Sequence, residues 1–296
     1  MQFDRTTIVV RERSVLDTLD LSLHVLREYA LPLAAAMLLG ALPLLAVDYL
    51  LLGWMASEAG EDAWLPWRFV YHLSLQIYLQ APLASVFATA YLGQAVFLAE
   101  PRFGDVVRDA WRMLPRIAWC HLLVRGVLLG WLLVLVLERD GEVHGFVEAL
   151  LLPVLAVYVS GLRAFRPFIN EIVLLERNPL TSQNERIMTV GRRSRMLHGS
   201  RGGEWLIRWL LASVLGVLLI LAAYGTFYFH AAAPRQDWTQ GPLLTHVLLP
   251  LAMGITTCYL TVFRFLTYLD ARIRQEGWEV ELQLRAEAAR LTRRPI

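Results

Sequence analysis

Six apolar runs alternate with short polar segments along the chain, at 31–52, 69–99, 117–137, 146–175, 205–229 and 243–269. About twenty apolar residues in helical form match the thickness of a bilayer core. The pattern therefore predicts six transmembrane helices. The second run is longer than one crossing needs, and Pro82 within it predicts a bend or tilt. A loop is predicted at 53–68, where Glu58, Glu61 and Asp62 stand beside Trp54, Trp64 and Trp67 as an aromatic belt.

Between the runs the period changes. Phe103, Val106, Val107, Ala110, Trp111 and Leu114 recur at steps of three and four, with Arg108, Asp109 and Arg112 opposite them. That spacing predicts an amphipathic helix at 103–115. Residues 14–29 read the same way, with Ser14 as N-cap and Val15, Leu16, Leu19, Leu23 and Leu26 as the apolar stripe. The largest polar insert, 176–204, carries Arg177, Arg186, Arg192, Arg193, Arg195 and Arg201. Asn178-Pro179 predicts a turn there, and Ile187, Val190, Ser194 and Leu197 predict a short helix. Residues 270–296 read as a charged amphipathic tail dented at Gly277.

These stretches repeat. Glu12 precedes Leu26 by the same interval that separates Glu100 from Leu114, and Asp17 and Asp105 fall at the same offset. A looser third copy starts at Glu176, and its Arg195-Met-Leu197 echoes Arg112-Met-Leu114. The expected fold is an all-α integral membrane protein: six transmembrane helices in three parallel two-span repeats with interfacial amphipathic helices. The repeats fall at about 12–99, 100–175 and 176–269, within one transmembrane domain followed by the tail.

The layout resembles a known group. Ile172-Val-Leu-Leu-Glu176, the later Gly191-Arg-Arg-Ser194 and the stretch Tyr268-Leu-Asp-Ala-Arg-Ile-Arg-Gln-Glu-Gly277 are similar to bacterial six-span families of unknown function. That group includes the membrane domain attached to some glycerophosphodiester phosphodiesterases and the UPF0259-like proteins. The resemblance covers the span layout and implies an inner-membrane helical bundle. It implies no established activity.

Composition supports the membrane reading. Of the 296 residues, 56% are hydrophobic and only 18% charged, and the mean hydropathy is +0.46. A soluble domain of this size is more polar. The net charge of +2 offers no field for nucleic acid. All 28 basic residues are Arg, concentrated in the segments with amphipathic helices, whereas the opposite loops carry few. The bias toward positive cytoplasmic segments then predicts a bacterial inner-membrane, multi-pass protein with both termini cytoplasmic. Anionic membrane lipids are the expected partners of the Arg-rich helices. The roughly thirty mostly polar residues ahead of the first run are too long and acidic for a secretory signal.

Ionisable groups inside spans are costly, and each calls for a hypothesis. Arg125, Arg163, Arg166 and Arg264 fall within predicted spans, Arg163 and Arg166 on one helix face. Two readings stay open. The four form a cationic cluster that binds the phosphate or carboxylate of an anionic head group. Otherwise they pair with Glu171, Asp270 or freed carbonyls near Pro167 and hold the bundle together. Asp48 is expected at the outer interface, and Gln76, Gln80 and Gln94 as interhelical hydrogen bonds.

No catalytic motif, cofactor site or metal-ligand spacing is visible, and Cys120 and Cys258 lie in or beside apolar runs as free thiols. The leading expectation is a non-enzymatic scaffold or subunit of a membrane assembly, docking protein partners at its cytoplasmic face. The alternative is a transporter or lipid-handling protein that uses the intramembrane Arg.

Overall fold

The computed structural model describes residues 14–58, 66–96, 101–139, 145–184, 186–199, 202–236, 238 and 241–276. Every regular element among them is helical. The helices are α1 (Val15–Glu28), α2 (Ala30–Glu58), α3 (Trp67–Ala84), α4 (Val86–Ala95), α5 (Phe103–Ala118) and α6 (Val127–Arg139). They continue as α7 (Gly145–Phe165), α8 (Ile169–Leu174), α9 (Val190–His198), α10 (Gly202–Ala232) and α11 (Leu249–Glu276).

Five stretches are long and apolar enough to cross a bilayer: Ala30–Ala56, Trp67–Ala95, Glu148–Phe165, Gly202–Ala232 and Leu244–Arg274. A sixth forms if Phe103–Val124 and Val127–Leu137, which meet at 53°, count as one span. The bend follows a π-helical segment, Trp119–Val124, and turns at Gly126. Gly126 has φ +75, a left-handed conformation that only glycine adopts without strain.

The span formed by α3 and α4 is the hub. In its apolar stretch 78% of the residues are buried, against 11% in that of α10. Leu79, Leu83, Val86, Phe87 and Leu92 on this span pack against Leu33, Ala36, Phe168, Ile172 and Val262 in the main core. As Pro82 leads one to expect, the helix is interrupted just beyond it, at Ser85. The outer faces of α10 and α2 present Leu210, Leu211, Leu218, Leu38 and Leu42. Exposed apolar surface of that extent suits hydrocarbon rather than water.

Several sequence expectations change. Ser14 caps α1 through a reciprocal pair with Asp17, but the helix buries Thr18, Ser22 and Val25. Leu16 and Leu23, from the apolar stripe, are 76% and 54% exposed. In water that pattern would be inverted; beside lipid the leucines face outward and small hydroxyls pack against the protein. The amphipathic helix at 103–115 runs on through Pro115 into the third span. The proposed loop at 53–68 is shorter, since α2 continues to Glu58 and α3 begins at Trp67. The fourth run breaks at Phe165, because Pro167 disfavours helical geometry at Arg166. Of the acids used to define the repeat, Glu12 and Glu100 lie outside the described residues, as do Trp64, Glu61, Asp62 and the tail beyond Glu276.

Candidate functional site

Proline breaks supply the first part of the site. Pro82 has no N–H, so the carbonyl of Tyr78 loses its normal helical donor. Arg163, near the end of α7, donates to that carbonyl and, at 3.1 Å, to the carbonyl of Leu79. Its guanidinium also lies 4.1 Å from the centre of the Tyr78 ring. Arg125, at the bend of the third span, is buried and donates to the carbonyl of Arg166 at 2.5 Å. Asn170 fills a third gap, donating to the Pro82 carbonyl at 2.7 Å while His121 donates to its Oδ1 at 2.6 Å.

Ion pairs supply the second part. Arg264 Nε meets Glu171 at 2.7 Å, and its Nη2 lies 3.3 Å from both Ser85 Oγ and Thr89 Oγ1. Glu171 is fully buried. Arg208 on α10 meets Glu204 at 2.8 Å and Asp270 at 3.2 Å, and Arg274 reaches Asp270 at 3.1 Å. Two atoms of the buried Arg208 guanidinium, Nε and Nη1, have no protein partner, nor has Arg163 Nε.

These cations converge on one cavity of about 300 Å³ between α3, α7, α10 and α11. Arg125, Arg163, Arg208 and Arg264 line it, and among the described residues no acid does. The arginines gather at one end, beside Phe168 and Trp205. From there the lining continues along α10 through Gly216 and Val217 to Ile220, and along α11 to Met253. Between Arg208 and Ile220 the helix rises roughly 18 Å. Val217 is 56% exposed, so the slot opens through the lipid-facing side. Its shape is a cationic head joined to an apolar stem.

Of the arginines singled out from the sequence, Arg125, Arg163 and Arg264 share this cavity. Arg166 does not: the helix ends before it and its side chain is exposed. Arg208 takes its place. It sits nearly two turns inside α10, where a basic residue reads as an ordinary flank of a span, and its partner Asp270 is distant in sequence. Glu171 and Asp270 stand behind the lining arginines as their counter-charges.

Beyond the cavity, Glu176 gathers Arg193 at 2.6 Å, the Tyr268 hydroxyl at 2.7 Å and Arg272 at 3.9 Å, tying the insert to α11. On α9, His198 is buried against Phe168 and Trp205 and donates from Nδ1 to the Ser194 carbonyl at 2.6 Å. Burial pushes its pKa down to about 4. No cluster of three metal-ligating side chains occurs among the described residues.

No family model, curated protein or solved structure matches the chain.

Proposed function

We propose that this protein binds an anionic amphiphile within the bilayer, as a lipid-handling or transport component rather than an enzyme. One observation carries the reading: a cavity lined by four arginines and, among the described residues, no acid, continued by an apolar slot open to the hydrocarbon. A phosphate or carboxylate fits the guanidiniums through paired N–H donors. Its acyl or prenyl tail fits the slot along α10 and α11. Arg125 and Arg163 donate to backbone carbonyls, and among the described residues neither has a direct carboxylate contact to neutralise its charge.

The orientation proposed with this reading puts both termini and the Arg-rich α5, α9 and insert in the cytoplasm of a bacterial cell, with the cavity's cationic end near the inner leaflet. Each of α1, α5 and α9 precedes a span, which supports three two-span repeats with interfacial helices.

The test is mass spectrometry of lipid retained by the full chain in mild detergent. The wild type is expected to carry an anionic lipid, and Arg208→Gln to lose it while unfolding at nearly the same temperature, because Arg274 still neutralises Asp270. Retention of neutral lipid alone, or equal retention by both proteins, would overturn the reading.

A scaffold function remains a second reading, favoured by one feature. Ile187, Met188 and Met196 are exposed beside Arg192 at the cytoplasmic end of this orientation. Such a patch suits a protein partner.

A further inference from the structure

The opposite half of the bundle holds a different polar system. Arg68, His72, Gln76 and Gln80 follow at steps of four on α3, so they stack on one face. His72, Gln76 and Gln80 are all buried. At the entrance, Arg68 Nε meets Glu148 at 2.9 Å and His72 Nε2 lies 3.7 Å from the same carboxylate. At the far end, Gln80 donates to Asp48 Oδ1 at 2.6 Å, and Trp131 Nε1 donates to the same oxygen at 3.1 Å. Asp48 is 0% exposed. The rise from Arg68 to Gln80 is roughly 18 Å, about half of a bilayer.

Along this line the polar atoms outnumber their partners. Asp48 Oδ2, both amide atoms of Gln76 and His72 Nδ1 are buried without a hydrogen bond. Gln76 lies against Gly130 of α6, where a side chain would strike its amide. Among the described residues no ion pair reaches Asp48. The groups around it are Tyr49 beside it on α2, Gln80 on α3, Trp131 on α6 and, beyond Tyr49, His246 ahead of α11. Arg68 and Glu148 are at the entrance, a helical stack away.

A permanently ionised carboxylate in that setting, with one bare oxygen and no cation, is costly. Accepting a proton on Oδ2 removes the charge while Oδ1 keeps both donors. Gln76 and His72 can each donate and accept, which is what relaying a proton through bridging waters requires. We propose that Asp48 is a proton-binding site in the membrane interior, loaded from the Arg68–Glu148 end along the His72–Gln76–Gln80 ladder. This goes beyond amphiphile binding and uses none of the cavity arginines.

Infrared difference spectroscopy of the full chain in liposomes, with the pH of the buffer stepped, tests it. One carboxyl should titrate apart from the surface acids and vanish in Asp48→Asn, a variant that keeps an oxygen for Gln80 and Trp131. Gln76→Leu, which leaves Asp48 and its donors in place, should slow loading after a pH jump at least tenfold. Exchanging choline for sodium should leave the signal unchanged. A signal surviving in Asp48→Asn, no such signal in the wild type, an unaltered rate in Gln76→Leu, or suppression by sodium would each overturn the proposal.

Discussion

Arg163 occupies the hydrogen-bonding place that Pro82 leaves open. The proline removes the donor that a helix would supply to the Tyr78 carbonyl, and the guanidinium of Arg163 supplies it from the neighbouring span. Inside a bilayer an orphan carbonyl has no water to turn to. The kink and the cation are therefore one device. It fixes Arg163 in the cavity wall by a contact that leaves its charge uncancelled.

The first prediction separates that role from packing. Arg163→Leu should destabilise the protein by about 1–3 kcal/mol, the usual result of leaving a buried polar group unpaired. In a Pro82→Ala background the alanine N–H can return to the Tyr78 carbonyl, so the same substitution should cost much less. Thermal unfolding in detergent of both singles and the double gives the coupling. Additive effects would refute the link.

Glu171 and Arg264 form an ion pair at the site in which the acid is fully buried. Glu171→Gln removes the counter-charge and leaves Arg264 with only neutral acceptors, the amide oxygen and the hydroxyls of Ser85 and Thr89. A loss of about 3–5 kcal/mol is expected. Adding Arg264→Met should restore most of it, as read by the unfolding temperature of the two variants.

Much of the membrane layout was legible in the chain because its cause is local: run length and hydropathy report on the solvent of each helix. The site was legible only in part. Arg125, Arg163 and Arg264 stood out because charge is rare deep in an apolar run. Arg208 did not, because its role rests on Asp270, brought to it only by the packing of α10 on α11. Arg166 was grouped with Arg163 by helical spacing, and the break before Pro167 cancelled that spacing. Asp48 was assigned to an interface, yet Gln80 and Trp131 enclose it. Which face of α1 packs on the protein was not legible, because an apolar face signals burial only where the surroundings are water.

The close approach of α2 to α3 gives a steric prediction. A Cβ at Gly40 would run into the backbone carbonyl of Ala84, which cannot move aside as a side-chain tip can. Gly40→Ala should therefore cost about 1–3 kcal/mol despite alanine's better helix propensity. Gly53, which has open space around it, should accept the same change without loss. Equal unfolding temperatures for the two variants would contradict the packing.

His198 makes stability pH-dependent at the Arg-rich end. Its folded pKa of about 4 lies below the unfolded value of 6.5, so the unfolded chain binds the extra proton first. Its contribution is complete above pH 6.5 and is lost as pH falls toward 4, by at most about 3 kcal/mol. His198→Gln should flatten the unfolding temperature across that window and leave higher pH nearly unaffected. A wild-type profile as flat as the variant's would exclude His198 as the cause.

The slot along α10 can be closed without touching its arginines. A Cβ at Gly216 would stand 3.1 Å from Leu260 Cδ1 and 3.8 Å from Thr256 Cγ2, contacts that flexible tips can relieve. Gly216→Met should therefore fold while filling the apolar stem. Removing space for even a few methylenes costs about 0.8 kcal/mol for each one displaced, so long-chain anionic lipid should bind at least tenfold more weakly. A short-chain analogue with the same head group, held only at Arg125, Arg163, Arg208 and Arg264, should bind as before. Titration of both ligands into wild type and variant measures the difference. Equal weakening of the two would place the tail elsewhere, and unchanged binding of both would show that the slot is not used.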